Sequence, residues 1–262
     1  MPRVKQESSA ILESWQKIIR ELIAICDNLC DRLAKRIDGD PPATFIYAFV
    51  IKATQTLKGI SLLYDHGLSE QAQALVRMLF EARVNFDCFL KLLDKDVRSA
   101  CQRILDSLTL EKVKQQRATN FRGLDFVSNA PTRKQLEEQE TEVALRYSAT
   151  DLQNLRRYGF TGESVEKRAA SLGLQDLYNV VYRNFSRNIH STDYAELLMM
   201  QKHGKAQDYS DYYRSRDQVS CNVAVLSAGR IAVSANRIYR CGLHRALDEI
   251  GKKRDLLYSK GE

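Results

Sequence analysis

Ile11-Leu-Glu-Ser-Trp15-Gln-Lys-Ile18-Ile19-Arg-Glu-Leu22-Ile23-Ala-Ile-Cys26-Asp-Asn-Leu29-Cys-Asp-Arg-Leu33 carries its apolar side chains three and four residues apart over some six turns. That rhythm places Ile11, Trp15, Ile18, Ile19, Leu22, Ile23, Cys26, Leu29 and Leu33 on one side of a long helix. The helix is expected to start after Ser8 or Ser9 and to run to about Arg36, where Asp38-Gly-Asp-Pro-Pro42 stops it. The rest of the chain repeats this habit. It holds only four prolines and 12 glycines, so long stretches run without a breaker. The expected fold is all-α, a bundle of long antiparallel helices.

Outward from this segment, a second helix is expected from near Thr44 to Asp65-His66-Gly67, with the glycine as its C-terminal stop. A third opens at Leu68-Ser-Glu, is capped by Ser69 and ends near Leu93; a fourth spans Val97 to Arg117. Thr119 to Pro131 mixes Gly, Asn and Pro and reads as a loop. A charged, peripheral helix follows over Thr132 to Tyr147, then short helices over Ala149–Arg157 and Ser164–Ser171. Gln175 to His190 is expected as one helix that buries Leu177, Val180, Val181, Phe185 and Ile189. Tyr194 to Gln201 is expected as a further helix, and Gly204 to Arg216 as a polar connector. The last two helices are Asp217 to about Arg240 and His244 to Tyr258. Residues 1–262 thus read as a single all-α domain with a less regular helical insertion at about 119–173. The Asp217–Arg240 helix is apolar on so many sides that a bundle centre or a homodimer interface is expected for it.

The 262 residues suffice for a sizeable core, and 44% apolar content is ordinary for a globular chain. Forty basic against 33 acidic residues leave a formal charge of +7, compatible with a nucleic-acid partner and equally with a mixed solvated surface. The six cysteines form no C-x-x-C pair and have no histidines at zinc-site spacing, so buried free thiols are expected. Met1 to Glu7 is polar, and the most apolar segment, Phe45 to Leu63, is broken by Lys52 and Lys58. Neither a signal peptide nor a membrane span is expected, and the location is expected to be cytoplasmic.

Candidate chemistry concentrates in Tyr182-Arg183-Asn184-Phe185-Ser186-Arg187-Asn188-Ile189-His190. Helical spacing aligns Arg183, Ser186, Arg187 and His190 in one stripe, with Tyr182 one turn before Ser186. An imidazole exchanges protons near neutral pH, and guanidinium groups hold phosphate. Together they are what phosphodiester cleavage without a metal requires. A second cluster is Arg77-Met-Leu-Phe-Glu81, a charged pair one turn apart in an otherwise apolar helix, which Asn85 extends by a turn. Such charges are costly to bury unless paired or used. Glu81 could accept a hydrogen bond from Arg77, or from an arginine or histidine of the Tyr182–His190 segment. The plainer readings are an exposed intrahelical ion pair for Arg77 with Glu81, a solvated face for the arginines and a structural His190.

The paired patterns Arg77-x-x-x-Glu81 and Tyr182-x-x-x-Ser186-x-x-x-His190 resemble an uncharacterised bacterial family of helical proteins that share an R-x-x-x-E helix and a later Y-x-x-x-S-x-x-x-H helix. The resemblance covers about half the chain, roughly Leu57 to Gln201. Arg183-Asn184 followed by His190 also resembles the R-x4–6-H motif of the HEPN superfamily, at its longest spacing. That resemblance implies a metal-independent endoribonuclease, a toxin or a phage-defence effector, with two motifs meeting across a homodimer cleft. It implies His190 as general acid or base at a ribose 2′-OH, Arg183 on the scissile phosphate and Asn184 orienting either group. Arg187, Ser186 and Tyr182 become supporting groups, and Arg77 with Glu81 a second wall of the cleft. Arg187 lies nearer His190 in sequence and is an alternative phosphate holder. No metal or other cofactor is implied.

No phosphate loop, G-x-G-x-x-G, H-E-x-x-H or G-x-S-x-G occurs, and aspartates do not cluster as in two-metal nucleases. Three function classes therefore stay open. They are the endoribonuclease, with RNA as substrate and an antitoxin or regulatory protein as partner; a non-catalytic RNA- or nucleotide-binding module; and a helical protein-interaction or regulatory subunit.

Overall fold

The computed structural model describes residues 2–119, 131–183, 185 and 206–259. Among these the protein is all-α, with no strand. The helices are α1 (Pro2–Ala34), α2 (Pro41–Asp65), α3 (Ser69–Leu93), α4 (Val97–Ala118), α5 (Arg133–Ala144), α6 (Ala149–Tyr158), α7 (Val165–Ser171), α8 (Gln175–Tyr178), α9 (Ala206–Tyr239) and α10 (His244–Tyr258). The expected loop at Thr119–Pro131 falls almost wholly outside the described residues, and the expected helix at Tyr194–Gln201 falls entirely outside them.

The chain divides into two compact units, one of residues 1–87 with 172–262 and one of 88–171. The excursion expected from about residue 119 is thus the later part of a unit that begins upstream, because α4 packs on both α5 and α6.

In the first unit α9 packs against α1, α2 and α10. Small buried residues on α9, among them Ala224, Ser227, Ala228, Ala232 and Ala235, let these neighbours approach closely. The apolar stripe of α1 is buried as expected at Trp15, Ile18, Ile19, Leu22, Cys26, Leu29 and Leu33. It meets a core that includes Ile46, Val50, Leu57 and Ile60 of α2 and Ile231 of α9. Helix α9 thus lies at the centre of this unit along most of its apolar surface, while Val233 and Ile238 stay exposed.

Several boundaries move for local reasons. Asp38–Pro42 does more than stop α1. Asp40 accepts a hydrogen bond from the Ala43 N–H at 3.1 Å, and Pro41 and Pro42 fill the first two helical positions, where no N–H is needed. Helix α2 therefore opens three residues before Thr44. Its end follows the glycine stop: Gly67 has φ +70°, its N–H reaches Tyr64 O at 3.1 Å, and Leu68 N–H reaches Leu63 O at 2.8 Å. Ala206–Arg216, expected as a connector, is the first third of α9. The stretch lacks Pro and Gly, and polarity alone does not oppose helix. The expected Gln175–His190 helix is helical at every described residue, opening with the single α turn of α8 and continuing as a π-helical segment Asn179–Arg183.

In the second unit Leu110, Val143 and Leu155 form a small core against Tyr147 and Leu152. Two carboxylates tie the helices around it. Asp106, 2% exposed, accepts from Gln102 (2.9 Å), Arg146 (2.6 Å) and Tyr147 (2.9 Å). Glu140 accepts two bonds from Arg117 (3.0 and 2.5 Å) and one from Arg156 (2.9 Å). Helix α5, expected to be peripheral, thus has a buried side of Leu136, Glu140 and Val143.

All six cysteines are free; Cys26, Cys101, Cys221 and Cys241 are buried, Cys30 and Cys88 half-buried. Among the described residues no helix is long and apolar enough to cross a membrane.

Candidate functional site

Helix α3 presents Arg77 toward the π-helical segment. The Arg77 guanidinium carbon stands 3.9 Å from the centre of the Tyr182 ring. The same ring stacks on Tyr178, with centroids 4.8 Å apart and planes inclined by 15°. Tyr178, Val181 and Phe185 are all buried and form the inward side of the segment. Val180, expected to be buried, is 40% exposed, because the wider π turn displaces it from the inward row. Tyr182 is therefore held by a guanidinium group and by a second ring. A cation over an aromatic ring contributes about 0.5–2 kcal/mol, depending on how dry the contact is.

The structure joins two of the candidate residues, Arg77 and Tyr182, which lie far apart in the chain. It does not join Arg77 to Glu81: among the described residues no ion pair forms between them. The i,i+4 pair that does form on α3 is Arg83–Asp87, at 3.8 Å. Arg83 and Asp87 were not singled out from the sequence. The backbone of Arg183 belongs to the π segment. Asn184, Ser186, Arg187 and His190 lie outside the described residues. Tyr178 also went unnoticed as a partner of Tyr182; their i,i+4 spacing is the signal that would have found it.

A second polar cluster was not foreseen. Asp217 of α9 is 6% exposed and accepts from Ser69 Oγ (2.9 Å) and Gln73 Nε2 (3.3 Å) at the start of α3. The Tyr64 hydroxyl is buried close enough to influence this carboxylate but outside hydrogen-bonding geometry. Burial is the largest influence and raises the Asp217 pKa; the hydrogen bonds and Arg216 oppose it. An acid whose folded pKa is raised binds more protons folded than unfolded. Its contribution is thus most favourable below its ordinary value and declines as pH rises through the folded value. Thermal midpoints of the wild type are expected to fall, relative to those of Asp217→Asn, as pH is raised from about 4 to 7. Parallel curves for the two proteins would remove the carboxylate from this role.

The site thus defined belongs to an all-α protein in which an R-x-x-x-E helix clasps the tyrosine of a later Y-x-x-x-S-x-x-x-H segment. Residues 44–209 match a family of unknown function (DUF5677), and this span is well over half of the chain; the protein belongs to that family. The match includes both motif segments, Arg77–Glu81 and Tyr182–His190. No curated protein and no solved structure matches the chain.

Proposed function

We propose that this protein is a metal-independent endoribonuclease of the HEPN type. In this reading it is a cytoplasmic homodimer that serves as a toxin or phage-defence effector and is restrained by an antitoxin or regulatory protein. One observation supports it most: Arg77 over Tyr182 brings the two separated motif segments side by side. Arg77 of the first motif helix is thereby set beside the segment that carries the second motif.

His190 takes the proton from a ribose 2′-OH, the oxygen attacks the adjacent phosphorus to form a 2′,3′-cyclic phosphate, and the P–O5′ bond breaks as the 5′-oxygen takes a proton from the imidazolium or from water. Arg183 balances the charge that grows on the phosphoryl oxygens, with Arg187 as the alternative holder. Asn184 orients the imidazole or the phosphate, and Ser186 supports it. Tyr182 is engaged by Arg77 and Tyr178. Its part is to fix the segment, while Glu81 and Arg77 form the second wall.

The test is incubation of end-labelled single-stranded RNA with wild type and His190→Ala in EDTA. Cleavage by the wild type alone is expected. Salt-sensitive retention of uncut RNA would favour the non-catalytic binding module instead. Neither cleavage nor retention, with a specific protein partner recovered, would favour the interaction or regulatory subunit.

A further inference from the structure

The adjoining C-terminal ends of α1 and α9 carry a cationic cleft that the nuclease reading does not use. It has a volume of about 490 Å³ and is lined by Arg32, Lys35, Arg36, Arg240 and Cys241. None of these four cations has a carboxylate within 4 Å among the described residues. Arg32 is fixed in place: Nε donates to Asn28 Oδ1 at 2.7 Å, and Nη1 donates to the Cys241 carbonyl. Gly242, at φ +75°, passes so near that a Cβ there would sit 3.3 Å from Arg32 Nη1.

Arg240 is the second unusual feature. Its φ is +47°, and among the described residues it is the sole non-glycine residue in the left-handed region. Just past a helix end, this conformation ordinarily selects Gly or Asn, because a Cβ there crowds the following carbonyl. Retaining arginine in it places a fourth positive charge on the cleft at a conformational cost.

Cations do favour helix C-termini, which carry roughly half a negative elementary charge each. Two helix ends account for about one unit of compensation. Four formal charges on this cleft exceed that severalfold. The excess is concentrated in a small volume, which suits an anion with several charges on adjacent groups. An RNA strand carries a single charge per phosphodiester and would spread its contacts along a longer track.

We infer that this cleft binds a compact polyphosphate anion, either free or as the tail of a nucleotide. The inference does not rest on the ribonuclease reading, and its test involves no cleavage. Calorimetric titration at fixed ionic strength compares inorganic tripolyphosphate, ATP, orthophosphate and single-stranded RNA. Tripolyphosphate is expected to bind at least tenfold more tightly than orthophosphate. ATP tighter than tripolyphosphate identifies the nucleotide form, and tripolyphosphate equal or tighter identifies the free anion.

Arg240→Gly is the decisive variant, because glycine suits the backbone. The thermal midpoint should be kept or raised while tripolyphosphate affinity falls at least tenfold. Arg36→Gln, at an exposed position, should weaken it in the same direction. Tripolyphosphate bound equally by wild type and both variants, or no more tightly than orthophosphate, would overturn the assignment. So would binding confined to RNA.

Discussion

Alanine in place of His190 is expected to slow RNA cleavage by about 10²–10⁴-fold, the range for removing a positioned general acid or base. This corresponds to about 3–5.5 kcal/mol of lost transition-state stabilisation. Single-turnover rates on a labelled oligonucleotide in EDTA read the effect directly. Far-ultraviolet circular dichroism and the thermal midpoint should stay at wild-type values, so that the loss reports chemistry rather than folding. Arg183→Ala should cost about 10²–10³-fold, as expected for a group that stabilises charge in the transition state. Lysine should not restore it, because a point charge cannot reproduce the guanidinium fork. If Arg187→Ala is the more damaging change, Arg187 holds the phosphate. Equal rates for wild type and His190→Ala would remove the imidazole from the mechanism.

The second large effect concerns stability. Asp87 of α3 is 6% exposed and takes the Arg230 Nε at 2.9 Å and the Arg83 Nε at 3.8 Å. Arg83 is itself mostly buried, and its Nε has no hydrogen bond. Burial lowers the Arg83 pKa, Asp87 opposes this, and Arg230 and Arg254 add to it. Removing Asp87 would leave two guanidinium groups facing each other with no carboxylate between them. Arg230 is 47% exposed and can turn to solvent, whereas Arg83 is only 14% exposed and cannot. Asp87→Ala is therefore expected to lower the unfolding free energy by about 3–5 kcal/mol. Trp15, the single tryptophan, is buried in the same unit, so its fluorescence in urea reports the transition. Adding Arg83→Met should recover much of the loss, because the stranded charge leaves with it. A cost below about 1 kcal/mol would show that water already compensates Arg83.

Periodicity was sufficient wherever one side of a helix meets one core. The three-four rhythm of Ile11–Leu33 located the buried side of α1, and His244–Tyr258 matches α10 in both limits. Boundaries set by capping were half legible. Gly67 was read correctly as a stop, whereas Pro41 and Pro42 were read as an ending although they begin α2. Composition misled at Ala206–Arg216, where polar residues without Gly or Pro continue α9.

The candidate site divides along the same line. Residues one or two turns apart could be grouped from spacing, so Arg77, Glu81, Tyr182 and His190 drew notice as local stripes. Contacts across the fold could not be grouped that way. The seat of Arg77 on Tyr182 depends on how α3 meets the π segment. The Asp217 cluster depends on how α9 meets the start of α3. The cationic cleft depends on α1 and α9 ending side by side. The π turn leaves no periodic mark in five residues, and it moved Val180 outward.

The central claim is tested most directly at the ends of the cut strand. After incubation of the purified wild type with single-stranded RNA in EDTA, mass spectrometry should find fragments ending in 2′,3′-cyclic phosphate, with 5′-hydroxyls on their downstream partners. Fragments ending in 3′-hydroxyls, or RNA left intact under these conditions, would contradict it.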